Sequence, residues 1–409
     1  MSEKRYDYLI LGAGMAADAA ARGIREVDPD GTIGILGRET TEPVARPALS
    51  KKLWTDPEFT LDQVWLGTAE ATGAELVLGE AADDVDLAAR VVTTEGGREV
   101  GYERLLVTTG GDPRTLEVDD WYDSGRVIAF RTIHDYWRLR EYAAAGARVA
   151  VVGGSFIAAE IAAALAQQDV EAHLICRGPA PMASILPPRV TGRLTEAMER
   201  HGVRVVTDAE VRAGEVEGSE GPVRLDMADG REARYDLVVT GLGVDPATGP
   251  LADAGLKVVD DGGIVVDERL RTSDPAVWAA GDVAVYPDQI LGRTRIEHVD
   301  HAQESGKAAG RSMAGADESY THTPYFYSVL FDDFFEAVGA LDPDGGLVED
   351  WQGEGDPLDR GVVYYGTRDG DTLDVTGVLL WNVEEARDAA RAVIADGPVP
   401  VGALRGRIT

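Results

Sequence analysis

One pattern occurs twice in this chain and constrains its fold more than any other feature: an apolar strand, a glycine-rich turn, then an alanine-rich helix. The first copy is Tyr6 to Glu26 (YDYLILGAGMAADAAARGIRE) and the second is Arg148 to Gln168 (RVAVVGGSFIAAEIAAALAQQ). Each is followed by another strand, TIGIL at Thr32 to Leu36 and EAHLI at Glu171 to Ile175. Strand, helix and strand in that order make a parallel βαβ unit, so the chain is predicted to hold two doubly wound α/β units. Two later passages repeat the correspondence. RVVTTEGGREVGYERLLVTTGG (Arg90 to Gly111) and PVRLDMADGREARYDLVVTGLG (Pro222 to Gly243) each read as a β-meander returning to a core strand. From about Tyr320 the character changes to aromatic residues, then GVVYY and LDVTGVLLW, then a helical stretch around Glu384 to Asp396. Regular alternation there predicts an antiparallel sheet with one helix, an α+β module.

The turns carry the first chemical signal. Gly12, Gly14 and Ala17 fit G-x-G-x-x-A between a strand and a helix. Gly12 permits the tight turn, and Gly14 lets the backbone approach a pyrophosphate. The small Ala17 lets helix and strand pack closely, with the phosphate on the helix N-terminus. An acidic ribose partner is expected after the second strand, where Glu39 is the candidate and Arg38 takes the more usual acidic position. The second turn reads Gly153-Gly154-Ser155-Phe156-Ile157-Ala158, with serine at the middle glycine's place. A serine Cβ there points towards the diphosphate, which predicts weakened binding. After the next strand, Arg177 stands where an NADH site usually offers a carboxylate. That arginine either receives a 2′-phosphate, which favours NADPH, or is simply solvated.

Composition removes several chemistries. A chain of 409 residues has room for two or three domains, each with its own core. Cys176 is the single cysteine, which excludes internal disulfides, CxxC pairs and cysteine-based zinc sites. Electrons therefore cannot leave through a protein dithiol. His298 and His301 lie three apart, but with no third ligand in view they read as structural, and no metal is expected. The net charge of −33, with lysine confined to Lys4, Lys51, Lys52, Lys257 and Lys307, disfavours nucleic acid and anionic membranes as partners. A salt-rich cytoplasm is the favoured explanation, because molar salt shrinks the Debye length to about 3 Å; a merely acidic protein is the alternative. No apolar run approaches the roughly 20 residues of a membrane span. MSEKRYDYLILGAG runs straight into a strand, so a cytoplasmic protein without a signal peptide is predicted.

Other segments are specific without explaining themselves by composition: TSDPAVWAAGDVA, with Ala280-Gly281-Asp282, and LLVTTGGDPR, with the turn Thr109-Gly110-Gly111. To these add RPALSKKLW (Arg46 to Trp54), EHVDHAQESGKAAGRSMAG (Glu297 to Gly315), and the tail pieces FFEAVGALD, GVVYY and GVLLWN. Through them the chain resembles, over essentially its whole length, the pyridine-nucleotide-disulfide oxidoreductase superfamily. Within it the likeness is to the branch of apoptosis-inducing factor and the ferredoxin reductases of oxygenase systems.

The resemblance implies a glutathione-reductase-like α/β fold. An FAD-binding domain would be built from residues 1–118 and 245–318, an NAD(P)-binding domain from 119–244, and a C-terminal α+β domain from 319–409. It implies FAD as cofactor and NADH or NADPH as substrate. Asp282 would bind the ribityl chain, Arg46 and Lys51 would contact the flavin, and Arg131 and His298 would approach it. Phe156 and Glu160 would lie on the nicotinamide side. Met15, Ala16, Ala82, Thr109, Gly110, Ile157, Gly243, Gly281, Glu297 and Tyr327 complete the expected cofactor-binding set. Tyr327 stands where relatives often have tryptophan, and Val329 where many have aspartate. Lys51 and Glu160 are expected to meet beside flavin N5, as an ion pair that keeps both charges tolerable in a partly dry site. Phe156 reads either as a shutter over the isoalloxazine or as a core aromatic at a helix start.

Without a cysteine pair, disulfide and thiol-based peroxide reduction are disfavoured. The remaining acceptors are a ferredoxin-like electron-transfer protein, a quinone or oxygen. Three readings stay open: an NAD(P)H-dependent electron-transfer reductase, a redox-responsive binding protein whose slow reduction controls dimerisation, and a flavoprotein whose nicotinamide site has decayed. Whether the chain forms a homodimer stays open too. An acidic ferredoxin would be repelled by this surface unless salt or a basic patch intervenes, and Arg138/Arg140 or Arg405/Arg407 are the candidate patches.

Overall fold

The computed structural model describes residues 4–116, 118, 121–218, 221–352 and 358–408. The chain divides into two compact units. Unit 1 comprises Met1–Ala45, Leu61–Asp112 and Asp245–Tyr325; unit 2 comprises Arg46–Thr60, Pro113–Val244 and Phe326–Thr409.

Unit 1 is built on a seven-stranded sheet in the order Glu75–Leu78, Ile33–Gly37, Lys4–Leu11, Glu99–Val107, Val91–Thr94, Ala82–Asp86, with Val277–Ala279 also paired to Glu99–Val107. The first strand has parallel neighbours on both sides. Its last four residues are all buried, as a strand covered on both faces requires. The meander 82–107 is antiparallel and delivers its final strand into the parallel core.

The helix Met15–Val27 buries its alanines against the long helix Val299–Ala314. Glycine sets the distance between them. A Cβ on Gly306 would lie 2.3 Å from the Ala16 carbonyl oxygen, one on Gly310 2.1 Å from that of Ala20, and one on Gly23 2.3 Å from that of Lys307. Any side chain at these three places would push the helices apart.

Unit 2 contains a parallel sheet in the order Arg204–Val206, Glu171–Ile175, Arg148–Val152, Leu237–Thr240, Val127–Ala129. The helix Phe156–Ala166 packs on it, buried from Ala158 to Leu165. A three-stranded antiparallel meander, Val211–Val216, Val223–Met227 and Glu232–Tyr235, precedes the core strand Leu237–Thr240. The tail forms a six-stranded antiparallel sheet in the order Tyr325–Leu330, Asp333–Gly339, Thr372–Trp381, Arg360–Asp369, Gly346–Gln352, with Pro398–Pro400 beside Thr372–Trp381. The helix Arg387–Ala395 packs on this sheet.

The segment Arg46–Thr60 is held in unit 2 by Trp54. Its indole N–H donates to the Leu49 carbonyl at 2.6 Å, its ring meets Tyr136 edge-on at 5.4 Å, and the Gln168 amide donates to its carbonyl at 3.0 Å.

Candidate functional site

In unit 1 the first glycine turn is shaped by sterics. Gly12 has φ +100°, and a Cβ on it would sit 2.3 Å from the Thr108 carbonyl oxygen, so no other residue fits. Gly14 is the N-cap of its helix, with no side chain capping it. A Cβ there would meet no protein atom within 4 Å, so open space faces the helix N-terminus. That cradle suits a diphosphate, which takes up the first-turn N–H groups and the positive end of the helix dipole. Met15, Ala16 and Ala17 form the buried first turn.

The flanking residues sit as follows. Arg38 is exposed and pairs with Asp112 at 2.7 Å, while the Glu39 carbonyl accepts from Gly79 N–H at 3.0 Å. Ala82 opens a sheet strand and packs on the core. The Thr109–Gly110 turn is tied to Ala247: the Thr109 hydroxyl donates to its carbonyl at 2.6 Å, and its N–H donates to the Gly110 carbonyl at 3.0 Å.

Gly281, at φ +71°, donates its N–H to the Ser305 hydroxyl at 2.9 Å, which anchors the following Asp282 to the long helix. Arg295 donates to the Asp282 carbonyl at 3.1 Å and pairs with the exposed Glu297 at 2.6 Å. His298 is the N-cap of the long helix, and burial pushes its imidazole down to about 4. Burial does the same to His301, whose ring stacks on Tyr286 at 4.6 Å with Nδ1 3.0 Å from the Tyr320 hydroxyl. His301 Nε2 is buried without a hydrogen-bond partner, the kind of orphan that a bound polar group or a water satisfies.

In unit 2 the second turn has the same shape. Gly153, at φ +143°, would place a Cβ 2.3 Å from the Gly241 carbonyl oxygen, and one on Gly154 would touch the Cys176 Cβ at 3.3 Å. Ser155 is the N-cap, at φ −106° and ψ −170°, and its hydroxyl makes no cap bond. Gly14 sits at φ −103° and ψ −166°, so serine adopts the required backbone without strain. Ile157 is exposed, and so is Arg177. Gly243, at φ +91°, accepts from Arg114 N–H at 2.9 Å. Burial pushes the Cys176 thiol up to about 11, so it is protonated and unreactive.

One helical turn separates Phe156 from Glu160, which puts both on one face. Phe156 meets Phe326 edge-on at 5.1 Å and Phe335 at 6.2 Å. Glu160 and Lys51, 109 residues apart, pair at 2.7 Å with side chains only 2% and 18% exposed. The Lys51 ammonium also lies 5.7 Å from the centroid of the exposed Tyr327 ring. Arg46 donates to the Arg131 carbonyl at 2.7 Å. Arg131 is fixed in turn because its N–H and that of Thr132 donate to Asp135 at 3.0 and 2.7 Å, in a helix-starting capping box. Of the basic spots, Arg140 is stacked over Trp54 at 4.7 Å and Arg407 is paired with Asp396.

Two hydroxyls on Glu160 were not singled out from the sequence: Ser50 donates to Oε2 and Ser328 to Oε1, each at 2.7 Å. Their only sequence signal is adjacency, Ser50 preceding Lys51 and Ser328 following Tyr327.

Comparison with known proteins shows the family. Residues 6–306 match the family described as pyridine nucleotide-disulphide oxidoreductase. The ferredoxin–NAD(+) reductase component of the anthranilate 1,2-dioxygenase system of Burkholderia cepacia is 31% identical over 96% of this chain and 95% of that protein. An apoptosis-inducing factor 1 of Drosophila melanogaster is 31% identical over 83% of this chain; the match spans 50% of that protein, so the chain reaches about half its length. Among solved structures, a chain of the covalent putidaredoxin reductase–putidaredoxin complex superposes with a TM-score of 0.87 at 26% identity, over 98% of this chain and 95% of that one. With about three quarters of its length matched by one family, this chain belongs to the pyridine nucleotide-disulphide oxidoreductase family.

Proposed function

We propose that the chain is an FAD-dependent NAD(P)H oxidoreductase that passes electrons to an external acceptor, a ferredoxin-like protein first among them. The observation that carries this reading is the ion pair between the part-buried Lys51 and the buried Glu160, whose carboxylate stands on the helix that starts at the second glycine turn, with an inert thiol as the only cysteine. The Burkholderia relative, matched over 96% of this chain and 95% of its own length, is named a ferredoxin–NAD(+) reductase component.

FAD, when bound, supplies a group that accepts two electrons at once and can release them singly. The chain's own residues do the rest. In unit 1 the turn at Gly12 and Gly14 and the helix after it would receive the FAD diphosphate, and Asp282 the ribityl chain. In unit 2 the turn at Gly153, Gly154 and Ser155 would receive NAD(P)H, with Arg177 free to meet a 2′-phosphate. Glu160 holds Lys51 as a fixed cation in a partly dry setting, where it acts on developing negative charge more strongly than in water. Phe156, packed against Phe326 and Phe335, would give way to the nicotinamide ring.

The net charge of −33 supports work in a salt-rich cytoplasm; undiminished stability in dilute buffer would count against it. Anaerobic titration of the FAD-loaded protein with NADH and NADPH tests the main reading. Bleaching by one of them, followed by recovery of colour on adding a [2Fe–2S] ferredoxin, is expected. Absence of bleaching with both overturns it. A redox-responsive role like that of apoptosis-inducing factor is the second reading, favoured by the Drosophila similarity. A persistent long-wavelength absorbance after reduction, with poor turnover, would select it.

A further inference from the structure

Glu160 is held by more than its lysine. Oε2 accepts from both Ser50 and Lys51, and Oε1 accepts from Ser328, all at 2.7 Å. The three donors come from two places, the segment Arg46–Thr60 and the strand Tyr325–Leu330. Alternation along that strand exposes Tyr327 and Val329 and buries Ser328 and Leu330. A fully buried polar residue at a position that would otherwise be apolar needs a partner, and the Glu160 carboxylate is that partner.

The arrangement fixes an orientation. With only Oε2 held by its two donors, the carboxylate could still pivot about that oxygen; the Ser328 bond to Oε1 removes that freedom. Lysine is a compact charge on a flexible four-carbon stem, so its location is set by what holds it. Tyr327 and Ser328, adjacent in sequence, address the two members of the ion pair: the ring lies beside the ammonium and the hydroxyl binds the carboxylate. We propose that Ser328 is a positioning residue that locks the Glu160 carboxylate so that Lys51 is held in one place. The proposal rests on the oxidoreductase reading for its consequence, but not for its geometry.

The test uses Ser328→Ala, Ser328→Thr and Ser328→Cys, with Ser328→Ala also placed in a Glu160→Gln background. Two quantities are read. One is the single-turnover rate of flavin bleaching by NAD(P)H against its half-saturation. The other is the amine labelling of Lys51 by mass spectrometry, with the exposed Lys52 as internal reference.

In Ser328→Ala the bleaching rate should fall about tenfold with half-saturation unchanged, the mark of a group that acts on the reacting arrangement rather than on binding. Lys51 labelling should rise several-fold relative to Lys52. Ser328→Thr should restore both. In the Glu160→Gln background Ser328→Ala should add nothing, because two residues acting through one contact are not additive. Wild-type rate and labelling in Ser328→Ala, or full additivity with Glu160→Gln, would overturn the proposal. If the alanine variant does not fold, Ser328→Cys decides: its thiol is somewhat larger and a far weaker donor, and wild-type rate and labelling from it would also overturn the proposal. A wild-type protein that neither nucleotide bleaches would sink the functional reading, while the labelling comparison would still judge Ser328.

Discussion

The two glycine turns are near copies in backbone and differ in what they carry. Gly12 and Gly153 both have positive φ and both would drive a Cβ to 2.3 Å from a carbonyl oxygen. Gly14 and Ser155 share φ and ψ to within a few degrees. Beyond the turn they part. The first helix presents Met15 and Ala19 on the face where the second presents Phe156 and Glu160. The first is a small-residue cradle; the second adds a ring and a buried charge. On the function proposed above, the turns would serve binding and the residues one helical turn later would serve the chemistry.

Filling each turn should have the largest effect. Gly12→Ala should cost roughly 4 kcal/mol, overpacking added to left-handed strain, and yield protein without bound flavin. Gly153→Ala should cost as much yet retain flavin and lose NAD(P)H binding. Urea unfolding and the absorbance of the purified protein read both, and flavin loss from the second variant would show that the turns do not serve separate ligands.

Removing the charge that distinguishes the second helix comes next. Glu160→Gln leaves Lys51 without its buried counter-ion and should cost about 3 kcal/mol in urea unfolding, with slower flavin bleaching.

Acid then acts on the first unit. His298 and His301 are held near 4 by burial, so the unfolded imidazole, at its ordinary 6.5, protonates first. Their stabilising share is complete above about 6.5 and is lost as pH falls towards 4. Each should give up about 2 kcal/mol by pH 5, visible as a falling melting temperature that His301→Asn flattens. Burial also lowers His173 in unit 2, but Glu171 at 2.9 Å works against that shift and reduces its share.

The smallest effect is expected where sequence reading had anticipated a defect. Ser155→Gly should change stability by less than about 0.5 kcal/mol. It should leave NAD(P)H affinity within about threefold, since the serine backbone already matches Gly14. A large gain in affinity would show that the serine Cβ does obstruct the nucleotide.

Much of the fold was legible because its signals are local. Strand, turn and helix follow one another within some twenty residues at each glycine turn, and the meanders and the tail sheet announce themselves by alternation. The site was legible unevenly. Positive-φ glycines declare themselves, whereas the meeting of Lys51 with Glu160 was reached only through resemblance. Ser50 and Ser328 gave no sign beyond standing next to Lys51 and Tyr327, because a serine matters only when folding brings a buried acceptor to it. Nor could the allegiance of Arg46–Thr60 to unit 2 be read, since Trp54 earns it by packing on Tyr136, far along the chain.

The glycine seam between Met15–Val27 and Val299–Ala314 has a consequence for the order of assembly. The elements of the second cradle lie within about a hundred consecutive residues, so it can close while synthesis continues. The first cradle is encoded at the start, yet the partner that seats its helix emerges from the ribosome some 280 residues later. The helix Met15–Val27 is thus among the last elements to reach its final packing, and a nascent chain halted before residue 299 would carry a finished second turn and an unseated first helix.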